Sequence, residues 1–349
     1  MARRKEVTLR ALADELRLSV HTVSKALRGL PGMSEATRRE VVKRARELGY
    51  RTKEQAAGIA AERIPWTNAQ PRRFAMLVGG EFPFHRQQLE GVQRRLGELG
   101  HSLYPQLMPG AVSEPAALEA WLASIEIDYT DGLFLTAAIP ERLEEALLKL
   151  PMPKVLINYP PDLAEVDSVV WDVEYAVHRA METLHASGHR SVLYVGEIGP
   201  LRGFRLRWQA FAAASRRAGL PEPNADEHVT IAAADRMQWM ELLRARLSTG
   251  RFTAVLSAIP GETEWVYAAA SSLSLGIPSD LSLIGMDHLE HPSIPGLARP
   301  QLIVREAGER AAELMLRRIA NPTLPYEHVR LKGPFLAGQT IRERQAGER

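Results

Sequence analysis

The chain has 349 residues, 45% hydrophobic and 25% charged, the balance of a globular protein long enough for two or three domains. It contains no cysteine, which excludes disulfides, thiolate metal sites and cysteine nucleophiles. The net charge of +2 hides an asymmetry, because residues 1–63 carry 15 Lys+Arg against 8 Asp+Glu while the remainder carries 29 against 34. A basic head on an acidic body predicts that the head meets a polyanion and the body does not. No apolar run follows Met1-Ala2-Arg3-Arg4-Lys5-Glu6, and no later stretch reaches the ~18 uncharged apolar residues of a membrane span. Neither a signal peptide nor a membrane partner is expected, and the expected compartment is the cytoplasm.

Three helical patterns fill the head. Leu9, Leu12, Ala13 and Leu16 recur at helical spacing behind a Thr8 N-cap. The turn Arg17-Leu18-Ser19 leads to a second helix capped by Ser19, with Val20, Val23, Ala26 and Leu27 as its apolar residues. A third opens at Ser34, buries Val41, Ala45 and Leu48, and stops at Gly49. Two short helices across a three-residue turn have helix-turn-helix geometry, in which the start of the second helix reaches base edges in the major groove. The exposed positions there are Val20, His21, Lys25 and Arg28, and the hydroxyls of Thr22 and Ser24 suit phosphate oxygens.

Residues 52–71 read as a hinge segment and a proline-punctuated linker. Beyond them, apolar runs at Phe74–Val78, Gly132–Leu135, Lys154–Ile157, Ser191–Val195, Ala254–Ser257 and Ser282–Gly285 alternate with helical segments, the first from about Arg86 to Leu99. This pattern predicts parallel, doubly wound sheets, and its length predicts two α/β lobes. The expected domains are therefore 1–51, 52–71 and 72–349.

The head resembles that of the lactose-repressor (LacI) family, on Val7-Thr8-Leu9-Arg10-Ala11-Leu12-Ala13, Leu18-Ser19-Val20-His21-Thr22-Val23-Ser24-Lys25-Ala26-Leu27, and Ser34-Glu35-Ala36-Thr37-Arg38 with Glu47-Leu48-Gly49-Tyr50. The resemblance implies a dimeric bacterial transcription regulator with a periplasmic-binding-protein-like sensor of parallel sheets flanked by helices. By the same resemblance Val20, His21 and Lys25 read bases, and Thr8, Ser19, Thr22, Ser24, Ser34 and Thr37 touch the DNA backbone. Lys25 or His21 suits guanine O6/N7, and Val20 a thymine methyl. The family often has Gly where Arg17 stands. Its hinge carries a leucine wedge for the minor groove, and Ile59 falls at that position beside Gly58, a poor helix former.

In the body, Gly188-His189-Arg190 and the following strand are similar to a family element. His185 and His189 read as a helix C-terminus rather than a metal pair. Arg207, in Arg205-Leu206-Arg207-Trp208-Gln209-Ala210-Phe211, corresponds to an arginine that faces the ligand in the family, and its fork suits hydroxyls, carboxylate or phosphate alike. Asp172 and Asp287 fall at cleft positions of the family. The usual Ala-Asn-Asp after the strand ending at Ser257 is replaced by Ala258-Ile259-Pro260-Gly261-Glu262-Thr263-Glu264-Trp265. Phe84, Trp171 and Trp265 are candidates for stacking on a sugar face. The candidate effector residues are thus Phe84, Trp171, Asp172, Arg207, Trp265 and Asp287.

No nucleophile elbow, Walker loop or dinucleotide fingerprint is present, and Asp287-His288-Leu289-Glu290-His291 lacks a triad or metalloprotease pattern. No catalytic residue, metal or cofactor is expected. The C-terminal residues carry no leucine heptad, so a homodimer rather than a coiled-coil tetramer is expected. The expected partners are a double-stranded, pseudo-palindromic DNA operator and a small-molecule effector, a sugar or polyol, with a phosphorylated or carboxylated ligand also open. A regulator with a degenerate pocket that answers to a protein or to nothing is the alternative, and a sugar-processing enzyme the alternative of another class.

Overall fold

The computed structural model describes residues 8–28, 30–48, 50, 71–80, 83–199, 201–231, 235–287 and 293–344. The hinge with Gly58 and Ile59, and the cluster residues His288, Glu290 and His291, lie outside them. The chain divides into two compact units, Met1–Asn68 and Ala69–Arg349.

In the first unit, α1 (Leu9–Leu16), α2 (Val20–Leu27) and α3 (Glu35–Leu48) enclose Leu12, Ala13, Val23, Ala26, Val41 and Ala45. Each helix begins on a hydroxyl that accepts a backbone N–H: Thr8 from Ala11 at 3.2 Å, Ser19 from Thr22 at 3.0 Å, and Ser34 from Thr37 at 3.1 Å. Arg17 turns the chain after α1 in the left-handed region, at φ 54° and ψ 38°. A Cβ there is strained, whereas glycine adopts the conformation freely. Arg17→Gly is expected to stabilise the head by about 1 kcal/mol, read as slower amide exchange of α1 in the full chain; faster exchange refutes the strain.

The second unit holds a six-stranded parallel sheet and a three-stranded parallel sheet. The first comprises β1 (Arg73–Val78), β2 (Ser102–Leu107), β3 (Gly132–Thr136), β4 (Lys154–Ile157), β5 (Asp167–Trp171) and β10 (His328–Leu331), in the order β10-β5-β4-β3-β1-β2. The second is β6 (Val192–Val195), β7 (Ala254–Ser257) and β8 (Ser282–Gly285), and β9 (Arg299–Pro300) pairs antiparallel with β11 (Phe335–Leu336) beside it. Helices α4 (Pro83–Glu98), α5 (Pro115–Ser124), α6 (Glu141–Leu148) and α11 (Val304–Ala320) belong to the first lobe. Helices α7 (Val173–Ala186), α8 (Arg202–Arg217), α9 (Arg236–Ser248) and α10 (Thr263–Ser272) belong to the second. The chain passes between lobes after Trp171, after Pro300 and after Leu331, as expected of two α/β lobes.

Each sheet carries its own core, Leu77, Leu133, Leu135 and Leu156 in one and Leu193, Val255, Leu283 and Trp239 in the other. Helices α4 and α11 meet at two glycines. A Cβ on Gly91 would run into the carbonyl of Arg305, and one on Gly308 into that of Gln88.

Buried histidines make this body acid-sensitive. His228 is ringed by Trp208, Phe211 and Phe252, accepts from Tyr194 N–H through Nδ1 at 3.0 Å, and is held down to about 4 by burial. Burial lowers His85 to about 4 as well, although its Nδ1 lies 2.6 Å from Gly80 O. The unfolded chain takes these protons near pH 6.5, before the folded chain does. Stability is therefore full above that pH and falls as pH drops toward 4, by up to about 3 kcal/mol per histidine. Urea midpoints recorded across this window check it, and a flat profile rejects it.

Candidate functional site: an exposed helix of the head and an inter-lobe cavity

On α2, Val23 and Ala26 point into the head's core, while Val20 is 43% exposed. Ser19, His21 and Arg28 are exposed too, and Thr22, Ser24 and Lys25 are half-buried. Val20, placed by sequence both with the apolar face and among the exposed positions, lies on the outward side. Thr8 and Ser34 are exposed at the starts of α1 and α3, with Thr37 half-buried a turn into α3. The Ser19 and Thr22 hydroxyls are paired at 2.8 Å, as are those of Ser34 and Thr37, so two helix N-termini each carry a hydroxyl pair beside free amide ends. Such ends favour phosphate. Arg28 donates from Nε to Ser24 O at 3.3 Å.

In the body, α8 carries Arg207 between the two sheets. Its guanidinium is 5% exposed, donates to Ala258 O at 2.9 Å, and lies 5.4 Å from the Phe204 ring centre. Burial lowers its pKa from the ordinary guanidinium value, opposed by Tyr194, Tyr159 and Asp287. A cavity of about 50 Å³ opens in front of it, lined by Phe84, Trp171, Val173, Phe204 and Arg207 among others. Phe84 and Trp171 stand edge to face, 5.7 Å between ring centres.

Of the six candidate effector residues, the cavity brings together Phe84, Trp171 and Arg207. Asp172 instead caps α7, accepting Tyr175 N–H at 2.9 Å. Asp287 turns its carboxylate into the chain, with Gly261 N–H on one oxygen at 2.7 Å and Thr263 Oγ1 on the other at 2.5 Å. Trp265 packs against the second lobe's core, with the Arg236 guanidinium 5.1 Å above its ring. The loop after Ser257 meets Arg207 through its backbone, where the Ala258 carbonyl accepts from the guanidinium. Sequence reasoning missed Phe204, although it lies one helical turn before Arg207 and hence on the same face.

A cross-lobe ion pair borders this region. Arg202, at the start of α8, donates to Glu144 of α6 at 2.7 Å and to Tyr159 O at 2.7 Å. Glu144 is only 1% exposed, and its counter-charge comes from Arg202 of the second lobe. His185 sits in the last turn of α7, and His189 contacts Thr253 Oγ1 at 3.0 Å and Arg342 O at 3.1 Å. Among the described residues, no group of three or more His, Asp or Glu is placed to hold a metal, and no helix is long and apolar enough to cross a membrane.

Residues 181–341 match the periplasmic binding protein-like domain family. The chain is 25% identical to the ribose operon repressor of Escherichia coli K12, covering 93% of this chain and 96% of that one. It is 24% identical to the catabolite control protein A of Priestia megaterium (85% and 86% covered) and to the repressor PurR of Vibrio vulnificus (89% and 92%). Among solved structures, the transcriptional regulator CelR in complex with cellobiose superposes with a TM-score of 0.65, at 19% identity over 96% of this chain and all of that one. A lac repressor dimer bound to operator and an anti-inducer gives 0.64, at 19% identity over 97% and 100%. A LacI-family regulator of Enterococcus faecium with bound ribose also gives 0.64, at 20% identity over 78% and 100%. The ribose repressor's match is too long to exclude the head, so a shared sensor domain does not account for it, and the chain is similar along most of its length to bacterial transcriptional repressors.

Proposed function

We propose that the chain is a repressor that binds a pseudo-palindromic operator as a homodimer in the bacterial cytoplasm, and that a small molecule between the body's lobes alters its affinity for that DNA. The observation that carries this reading is α2, whose Val20, His21 and Lys25 stand outside the core on a capped helix in a basic head. Thr8, Ser19, Thr22, Ser24, Ser34 and Thr37 hold the DNA backbone, Arg28 adds charge, and Ile59 enters the minor groove. Domain limits of 1–51, 52–71 and 72–349 assign recognition, coupling and sensing to successive parts of the chain.

The effector acts by linkage, because a ligand that favours one arrangement of the lobes shifts DNA affinity only by its differential binding. Phe84, Trp171 and Arg207 form its contact surface. A carbohydrate is the class carried by the solved regulators with ribose and cellobiose. Selection of bound sequences from a random DNA pool at physiological salt tests the DNA reading. An enriched palindrome, with half-sites about one helical turn apart, supports a dimeric operator binder. Asymmetric sites reject the dimer, and no enrichment by the full chain rejects sequence-specific recognition in the free state.

A further inference from the structure

Two buried donors in the inter-lobe cavity have no acceptor. Arg207 Nε and Trp171 Nε1 are both shielded from solvent without a hydrogen-bond partner, and both residues line the cavity. A buried N–H left unmade costs about 1–3 kcal/mol, more when charged, and two such donors belong to residues that line this one cavity, which favours a ligand that brings acceptors. Among the described residues the Arg207 guanidinium makes one hydrogen bond, to a neutral carbonyl, and no ion pair.

The acceptors are distributed the opposite way. Asp287 spends both carboxylate oxygens on the chain itself, Asp172 spends Oδ1 on its helix cap, and neither lines the cavity. The Tyr159 hydroxyl is held by Val173 N–H at 2.9 Å and Trp171 O at 3.4 Å. Asn158 adds one side-chain amide, and the rest of the lining is largely apolar, including Phe84, Ile157, Val170, Val173 and Phe204. A sugar brings a hydroxyl donor with almost every acceptor, and each donor would need a partner that this wall does not supply. A carboxylate brings acceptors alone. The cavity of about 50 Å³ is far below the ~300 Å³ and more of drug-sized pockets, so the ligand is small.

We propose that this cavity takes a small carboxylate with an apolar body, its oxygens on Arg207 and the Trp171 indole N–H, its body between Phe84 and Phe204. The proposal rests on reading the chain as an effector-responsive regulator and replaces the sugar as its ligand class. A guanidinium fork matches a carboxylate in a dry site, and Ala258 O takes one arm of the fork while Nε is left without a partner.

The test uses the full chain with benzoate and isovalerate as probes, their amides as neutral isosteres, and ribose and cellobiose as competing chemistry. Melting temperature and affinity for the selected operator are the readouts. The acids are expected to raise the melting temperature saturably and to change operator affinity, with the amides about 10- to 100-fold weaker. Arg207→Gln should abolish the response. If that variant loses its fold by circular dichroism, Trp171→Phe keeps an aromatic ring, removes the indole N–H, and should weaken the acids alone. A response to ribose or cellobiose but not to the acids overturns the carboxylate while leaving effector control standing. Acids and amides bound equally well, or no acid bound at all, likewise overturn it. Effector control itself fails separately, if none of the probes changes affinity for the selected operator.

Discussion

Asp167→Ala is expected to cost the body about 3–5 kcal/mol of stability, the loss that follows when one partner of a buried ion pair is removed. The Asp167 side chain is fully buried and accepts from Arg318 Nε at 2.7 Å, from the same guanidinium's second arm at 3.0 Å, and from Glu327 N–H at 2.9 Å. Arg318 also donates to the carbonyls of Pro322, Leu324 and Pro325 and lies under the Tyr326 ring at 4.7 Å. Its pKa is raised, first by the hydrogen bonds to Asp167. One ion pair thus ties the end of α11 to β5 and fixes the connection that delivers β10. Without Asp167 the guanidinium stays buried against carbonyl dipoles with no counter-charge. Urea unfolding of Asp167→Ala, Arg318→Met and the double variant measures the coupling. A single-variant loss below about 1 kcal/mol would place this pair with ordinary surface bridges and refute the assignment.

That network explains part of what the sequence conceals. The runs at 132–135, 154–157, 254–257 and 282–285 are largely apolar without alternation, and β3, β4, β7 and β8 form there within a residue of expectation, because strands buried on both faces need no alternation. β5 starts on a charged residue whose partner lies 151 positions away, and nothing local distinguishes Asp167 from a loop aspartate. β2 is an edge strand with Pro105 inside it and Tyr104 and Leu107 exposed, so its pattern is that of a connection. Gly91 and Gly308 fall within helices and acquire meaning only where α4 and α11 touch.

The site divides along the same line. Thr8 and Ser19 are legible as caps because a cap is a local hydrogen bond, and each caps its helix, while Ser34, read as the opening of the third helix, caps it too. Arg207 is legible as a candidate by family position, and Trp171 as an aromatic able to stack on a ligand. Whether an aspartate faces a ligand or the protein is decided by loop geometry, and Asp172 and Asp287 both spend theirs on the protein.

His21→Ala and Lys25→Ala are each expected to weaken operator binding by about 1–3 kcal/mol, the worth of a good base contact. If independent, the double variant should then lose roughly 30- to 25,000-fold. Both positions lie on the outward side of α2, one turn apart, while Val23 and Ala26 anchor the opposite side in the core. The two substitutions therefore change what the helix presents without removing a buried side chain. Ser19→Ala is the contrasting variant, since it removes the Thr22 N–H acceptor and the hydroxyl pair together and should lower helix stability as well as binding. Anisotropy titrations on the selected operator and on a scrambled duplex, each at two salt concentrations, separate the roles. A base reader loses affinity for the operator alone and leaves the salt dependence unchanged. A phosphate contact by Lys25 weakens both duplexes equally and reduces the salt slope by about one. Equal losses on the two duplexes for both variants would overturn base reading by α2 and leave sequence preference to the hinge or to DNA shape.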